Sequence, residues 1–152
     1  MPLTIRHNRD RDLEPLGRML TSEDDLALVN PGARRPFDIG EWHRIWLNEP
    51  DDESFYLLDE AGHEVGFFAL RVGAGPEMRH LAYVFVAERA RGGAGHVLAE
   101  EAEAAARDLG AVTVTLKVEL DNPPALNLYR AQGYEELSRR GGMATMMRDL
   151  AA

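Results

Sequence analysis

Apolar and polar positions change period several times along the chain, and each change marks an element. Leu3-Thr4-Ile5-Arg6 alternates as a short strand, and Leu13, Leu16, Met19 and Leu20 follow at helical spacing. Thr21 to Arg35 carries Ser, Asp, Asn, Pro and Gly with little periodicity, which predicts loop with at most one helical turn. Asp38 and Glu41 have the spacing of a capping box, ahead of a helix that puts Trp42, Ile45 and Trp46 on one face. Ser54 to Asp59 and Glu64 to Val72 read as strands around a turn at Gly62; Gly73 to Pro76 turns the chain into a third strand, His80 to Val86. Together they predict a three-strand meander.

The second half has a different rhythm. Val97, Leu98, Ala102, Ala105 and Leu109 form the apolar face of a helix that stops at Gly110. Val112, Val114, Leu116 and Val118 then alternate with polar residues, the period of a strand over Ala111 to Val118. A strand, a helix of this length and another strand make a right-handed crossover, so His80 to Val86 and Ala111 to Val118 should run parallel. Asn122 and Pro123 open a further helix, Ala125 to Gln132, ended by Gly133. Tyr134 to Leu137 and Met143 to Arg148 close the chain as a hairpin around Gly141-Gly142. The fold class is therefore α/β in the mixed α+β sense, a central mixed sheet with elements in the order β-α-α-β-β-β-α-β-α-β-β. Neither a repeat nor a low-complexity linker divides it, so residues 1–152 read as one domain.

Composition narrows what such a domain does. An apolar content of 45% in 152 residues is enough for one sizeable core. No apolar run approaches the roughly 20 residues of a membrane span, and Met1 to Leu20 lacks a signal peptide's apolar stretch, so a cytoplasmic protein without a membrane partner is expected. The absence of cysteine excludes disulfides, a thiol nucleophile and thiolate metal sites. A net charge of -9 argues against nucleic acid while leaving room for a local basic patch that takes one small anion. His7, His43, His63 and His96 lack ligand spacing and predict no metal; Ser22, Ser54 and Ser138 lack the context of a hydrolase nucleophile.

The stretch with most chemistry is Arg89-Ala90-Arg91-Gly92-Gly93-Ala94-Gly95-His96-Val97-Leu98, between a strand end and a helix start. A helix N-terminus offers unpaired N–H groups and the positive end of a dipole, and residues without bulky side chains let a phosphate come close. Arg89 and Arg91 add charge, so the junction can bind a pyrophosphate, although three glycines also serve a plain tight turn. A P-loop is excluded because no Lys-Ser or Lys-Thr follows the glycines. A dinucleotide motif is disfavoured because Leu98 stands where its third glycine belongs.

Downstream, Asn122-Pro123-Pro124-Ala125 leads through Leu128-Tyr129 to Gly133-Tyr134. Strand, glycine turn, helix and strand followed by this run resemble the GNAT superfamily of acyl-CoA-dependent N-acyltransferases, closely from about His80 to Tyr134 and by element order over nearly the whole chain. The resemblance implies a sheet whose two parallel strands splay apart to admit the pantetheine arm of acetyl-CoA. It implies backbone contacts from Val84, Phe85 and Val86, a pyrophosphate on the turn from Arg89 through Arg91, Gly92, Gly93, Ala94, Gly95 and His96, and a further hold on the arm from Asn122. One register of the family's turn motif uses Arg89, Gly92 and Ala94; a second uses Gly93 and Gly95 and leaves Ala90 at the basic position.

The same resemblance places Tyr129 where a hydroxyl protonates the departing thiolate, as against a core aromatic on an amphipathic helix. The base is open between His80, whose ordinary pKa of about 6.5 suits proton uptake, and ordered water; Glu77 lies just upstream. Trp42 and Trp46 are core residues or walls of an acceptor pocket. The implied reaction moves an acetyl group from acetyl-CoA to the amine of a small molecule or peptide, with a silent acyl-CoA-binding module as the alternative. The edge of the closing hairpin offers a surface for a homodimer.

Overall fold

The computed structural model describes residues 3–75 and 77–151; Pro76, read above as part of a turn, lies outside them. In chain order the elements are β1 (Thr4–His7), α1 (Glu14–Met19), α2 (Glu23–Val29), α3 (Ile39–Glu41, continuing as a wider turn over Trp42–Trp46), β2 (Glu53–Leu58), β3 (Glu64–Val72), β4 (Met78–Val86), α4 (Ala94–Asp108), β5 (Thr113–Glu119), α5 (Pro123–Ala131), β6 (Glu135–Arg140) and β7 (Met143–Asp149). The strands form one sheet in the order β1-β2-β3-β4-β5-β7-β6. Every neighbouring pair is antiparallel except β4 and β5, which run parallel as the crossover through α4 requires.

The parallel pair is short. Met78, Arg79 and His80 pair with Thr113, Val114 and Thr115, and from there the strands part. β5 keeps its other edge on β7 all the way to Glu119, so it is β4 whose second edge is left free from Leu81 to Val86.

Two apolar cores lie on the two faces of the sheet. One gathers Leu57, Phe68, Leu70 and Leu81 under α4, α5 and β5, with Leu98, Ala102, Leu116 and Tyr129. The other packs Tyr56, Phe67, Ala69 and Phe85 against Leu13, Leu16, Leu26 and Trp42 from the helices of the first half. Leu81 and Phe85, four residues apart on one strand, would share a face in regular β structure but belong to opposite cores. The reason is a bulge. Phe67 and Ala69 of β3 face Phe85 and Ala82 of β4, so β4 spends one residue more than its partner, and Tyr83 adopts φ +55°. Val84 and Val86 thereby pack toward the α4 side while Tyr83 and Phe85 face α1 and α2. Simple alternation, which puts His80 and Val84 on one face, fails here for that reason.

Two other expectations are corrected by local geometry. Thr21–Arg35 holds a helix of two turns, α2, because Ser22 caps it through Asp25 N–H (3.3 Å) and Glu23, Asp24 and Asp25 meet the positive end of its dipole. This helix is not predicted by the sequence pattern, nor is the short 3-10 turn at Glu88–Ala90. Asp38 does cap α3, accepting from Gly40 and Glu41 N–H, but Glu41 turns its carboxylate to Arg34 N–H and the Trp46 indole instead of closing the box. The turn then widens: the Trp42 carbonyl accepts from Leu47, five residues on, which leaves Trp42 fully buried and swings Ile45 out to 48% exposure.

Candidate active site

A cleft of about 710 Å³ opens where β4 and β5 part, and it runs between both faces of the sheet. On the α4 and α5 side its wall includes Arg91, Asn122, Ala125 and Tyr129; on the other side it includes Asp25, Leu28, Val29 and Asn30 of α2 and its C-terminal turn. His80, Tyr83, Val84, Phe85, Val86, Lys117 and Glu119 line the seam between them.

The free edge of β4 supplies backbone groups. Ala87 N–H bonds back to Val65 of β3 (2.7 Å), so the peptide groups of Val86 point the opposite way, into the cleft. The Val86 carbonyl is met there by Arg91 Nε at 3.0 Å. Phe85 pairs with Phe67, so its amide turns toward β3 and only its position, not its N–H, borders the cleft.

At the mouth of this edge stands the N-terminus of α4. Gly93 precedes the helix with φ +139° and Gly92 has φ +105°, conformations that disfavour any side chain. A Cβ at either would meet nothing within 4 Å, so the turn lies open to a ligand. Val97 N–H is the first to bond back along the helix, to Gly93 at 3.4 Å, which leaves the N–H groups of Ala94, Gly95 and His96 as the first turn's free donors. Ala94 is buried under the sheet, whereas the His96 side chain is exposed. A pyrophosphate fits this cradle by shape and by dipole.

The two arginines separate. Arg89 reaches away to Asp59 Oδ2 at 3.6 Å, near the β2–β3 turn, and is not part of the cleft wall. Arg91 is part of it. Asn122 caps α5 by accepting from Ala125 N–H (3.3 Å) and also lines the cleft, so both roles read for it from sequence are compatible with its place.

Tyr129 sits on the inner face of α5 with 7% exposure, edge-on to Tyr134 at 5.5 Å, and borders the cleft. Its hydroxyl makes no hydrogen bond among the described residues, and burial pushes the phenol up to about 12, so it keeps its proton throughout the physiological range. His80 stands at the last rung before the strands part, with Nδ1 3.0 Å from Thr115 Oγ1. Burial above all, then Lys117 and Arg71, hold its pKa below the ordinary histidine value, so the ring is neutral at pH 7. Trp42 is buried and packs on Tyr83 rather than lining the cleft, which makes it a core residue behind the wall. Tyr83 and the α2 residues were not legible as site residues because the bulge and α2 were not; Lys117 and Glu119 were not because the alternation along β5 does not mark where β4 leaves it.

Residues 19–134, well over half of the chain, match the Acetyltransferase (GNAT) family, and the chain belongs to that family. No curated protein matches it by sequence. Among solved structures it resembles spermidine N-acetyltransferase from Vibrio cholerae in complex with CoA and spermine, at 17% identity over 98% of this chain and 96% of that one, TM-score 0.78. Phosphinothricin acetyltransferase from Sinorhizobium meliloti, in complex with AcCoA, is similar at 20% identity over 99% and 89%, TM-score 0.75. Ribosomal-protein-alanine N-acetyltransferase from Brucella melitensis follows at 24% identity over 97% and 99%, TM-score 0.71. At these identities the likeness is one of fold.

Proposed function

We propose that this protein is a cytoplasmic N-acetyltransferase that takes its acetyl group from acetyl-CoA and passes it directly to an amine of a small molecule or peptide. The observation that carries the reading is a cleft through the sheet with a buried, protonated Tyr129 on one wall and a neutral His80 at its base. CoA-bound relatives of the same fold support the choice of donor.

When bound, acetyl-CoA supplies a thioester carbonyl activated toward amines. The residues of this chain do the rest. The N–H groups at the start of α4, with Arg91, hold the pyrophosphate; the free edge of β4 at Val84 and Val86 orients the pantetheine arm and offers N–H groups to the acyl oxygen. Asn122 braces the arm from the other strand. In the tautomer whose Nδ1–H donates to Thr115 Oγ1, neutral His80 has Nε2 free to accept the proton of the attacking amine, directly or through water. Tyr129 gives its proton to the departing thiolate.

The testing experiment is thiol release from acetyl-CoA over an amine panel, for the wild type and Tyr129→Phe. Loss of the hydroxyl should lower kcat about 100-fold, the low end for general acid catalysis because a thiolate leaves readily unaided. CoA affinity should barely move, since the ring is kept. Wild-type kcat in the variant would remove Tyr129 from catalysis. CoA binding without turnover on any amine would make the protein a silent acyl-CoA module instead.

A further inference from the structure

The bulge in β4 is held by a clasp that reaches across three elements. Tyr83 carries it at φ +55°, a strained region that a bulky residue keeps only where its surroundings enforce it. Its surroundings are specific. The hydroxyl donates to the Trp46 carbonyl and accepts from Arg71 Nη1, both at 3.3 Å, and the ring meets Trp42 edge-on at 5.0 Å. Arg71 is itself anchored: Nε lies 3.7 Å from Asp52 Oδ2 and Nη2 donates to Asn48 at 3.4 Å. Asp52 is buried and accepts from Val72 N–H (3.0 Å) and Glu49 N–H (3.1 Å), so its carboxylate is fixed on both oxygens. The widened turn at Trp42 is what brings the Trp46 carbonyl to this point.

The position of the clasp gives it a consequence. Tyr83 lies within the free edge of β4, immediately before Val84, and the bulge is what turns Val84 and Val86 to the α4 side. We propose that Tyr83 is a positioning residue: its hydroxyl, gripped between the Arg71 guanidinium and the Trp46 carbonyl, fixes the bulge so that the N–H groups of β4 beyond it converge on the acyl carbonyl. Tyr83 borders the cleft, whereas Arg71 and Trp46, which grip its hydroxyl, stand outside the cleft wall. The clasp acts through the backbone, and it ties the turn at Trp42–Trp46 to the strand that reads the acyl group. The proposal rests on the acyl-CoA reading above.

The test compares acetyl-CoA with S-ethyl-CoA, which has the same arm and nearly the same size but no acyl oxygen. Binding of each is measured by calorimetry for the wild type, Tyr83→Phe and Arg71→Met, with Tm as the check on folding. Wild type should prefer acetyl-CoA by about tenfold, the worth of one good hydrogen bond, and both variants should reduce that preference to about twofold or less, through weaker acetyl-CoA binding. S-ethyl-CoA affinity should stay within about twofold in both, a split that loss of general packing would not produce. An unchanged preference in both variants overturns the proposal. Equal weakening of the two ligands also overturns it, by making the clasp a shaper of the whole cleft. A wild type that binds neither ligand fails at the acyl-CoA reading itself, and the proposal falls with it.

Discussion

At the fork of the sheet, His80 is flanked by two cations. Arg71 is its cross-strand partner on β3, and Lys117 lies two residues beyond Thr115 on β5. Burial comes first among the causes of its lowered pKa, with these two cations adding to it. If His80 takes the amine proton, kcat/KM corrected for the amine's own protonation falls as pH drops through that lowered pKa, below the ordinary value of about 6.5. Lys117→Glu replaces a repulsion by an attraction and should move this acid limb to higher pH; a limb that stays in place would show that another group titrates. Stability has the same sign. His80 binds fewer protons folded than unfolded, so its contribution is complete above about pH 6.5 and is lost as pH falls from there toward the folded pKa. Much at this scale was legible in the sequence. Tyr129 on a helix, His80 on a strand and Gly92 and Gly93 at a helix start stand in the elements that the sequence pattern predicts for them. Arg89 was not legible, since nothing in a local motif reveals that Asp59, thirty positions earlier, attracts it.

Helix ends explain more of this molecule than helix interiors. α5 closes with Tyr134 N–H on the Tyr129 carbonyl (2.9 Å) and Gly133 N–H on Arg130 (3.0 Å), the paired bonds of a Schellman cap, with Gly133 at φ +100°. That cap fixes the end of the helix on which Tyr129 stands. Gly133→Ala would force a Cβ to within 2.8 Å of Arg148 Nε, the atom that bonds Glu103 of α4 at 3.1 Å. Left-handed strain alone costs about 1–2 kcal/mol, so Tm should fall by roughly 3–8 °C. A thermal melt checks this, and a variant as stable as wild type would mean the cap relaxes freely. These caps were readable because glycine and Asn-Pro announce them. The start of α2 was not: three acidic residues in a row look like solvated loop until Ser22 is seen to cap them. The wide turn at Trp42–Trp46 was hidden for a different reason, because a period of 3.6 fits the apolar positions while the backbone itself takes a longer step.

Over the whole molecule, the sheet has a seam. Three residue pairs hold β4 to β5, and beyond them each strand faces open space instead of its neighbour. CoA should therefore raise Tm, by the equivalent of about 2.7 kcal/mol at a hundredfold excess over Kd. It should also slow amide exchange at Val84 and Val86 while leaving the β2–β3 ladder unchanged; exchange unaltered along β4 would place the ligand elsewhere. The two cores bear on a different question, that of interchange. Residues 13–47 fill one core and bring α2 to the cleft wall opposite α5, whereas residues 94–150 fill the other and hold the turn and Tyr129. Because the sheet separates them, a graft of the first segment from another chain has to be accommodated by one core only. The clasp at Tyr83 is one point where such a graft must match its host, since Trp46 belongs to the graft and Tyr83 to the strand that stays. The segment 13–47 is in this sense an exchangeable cartridge keyed at a few polar contacts, Trp46 on Tyr83 and Leu16 on Tyr56 among them, and a successful exchange would appear as altered amine preference at unchanged CoA affinity.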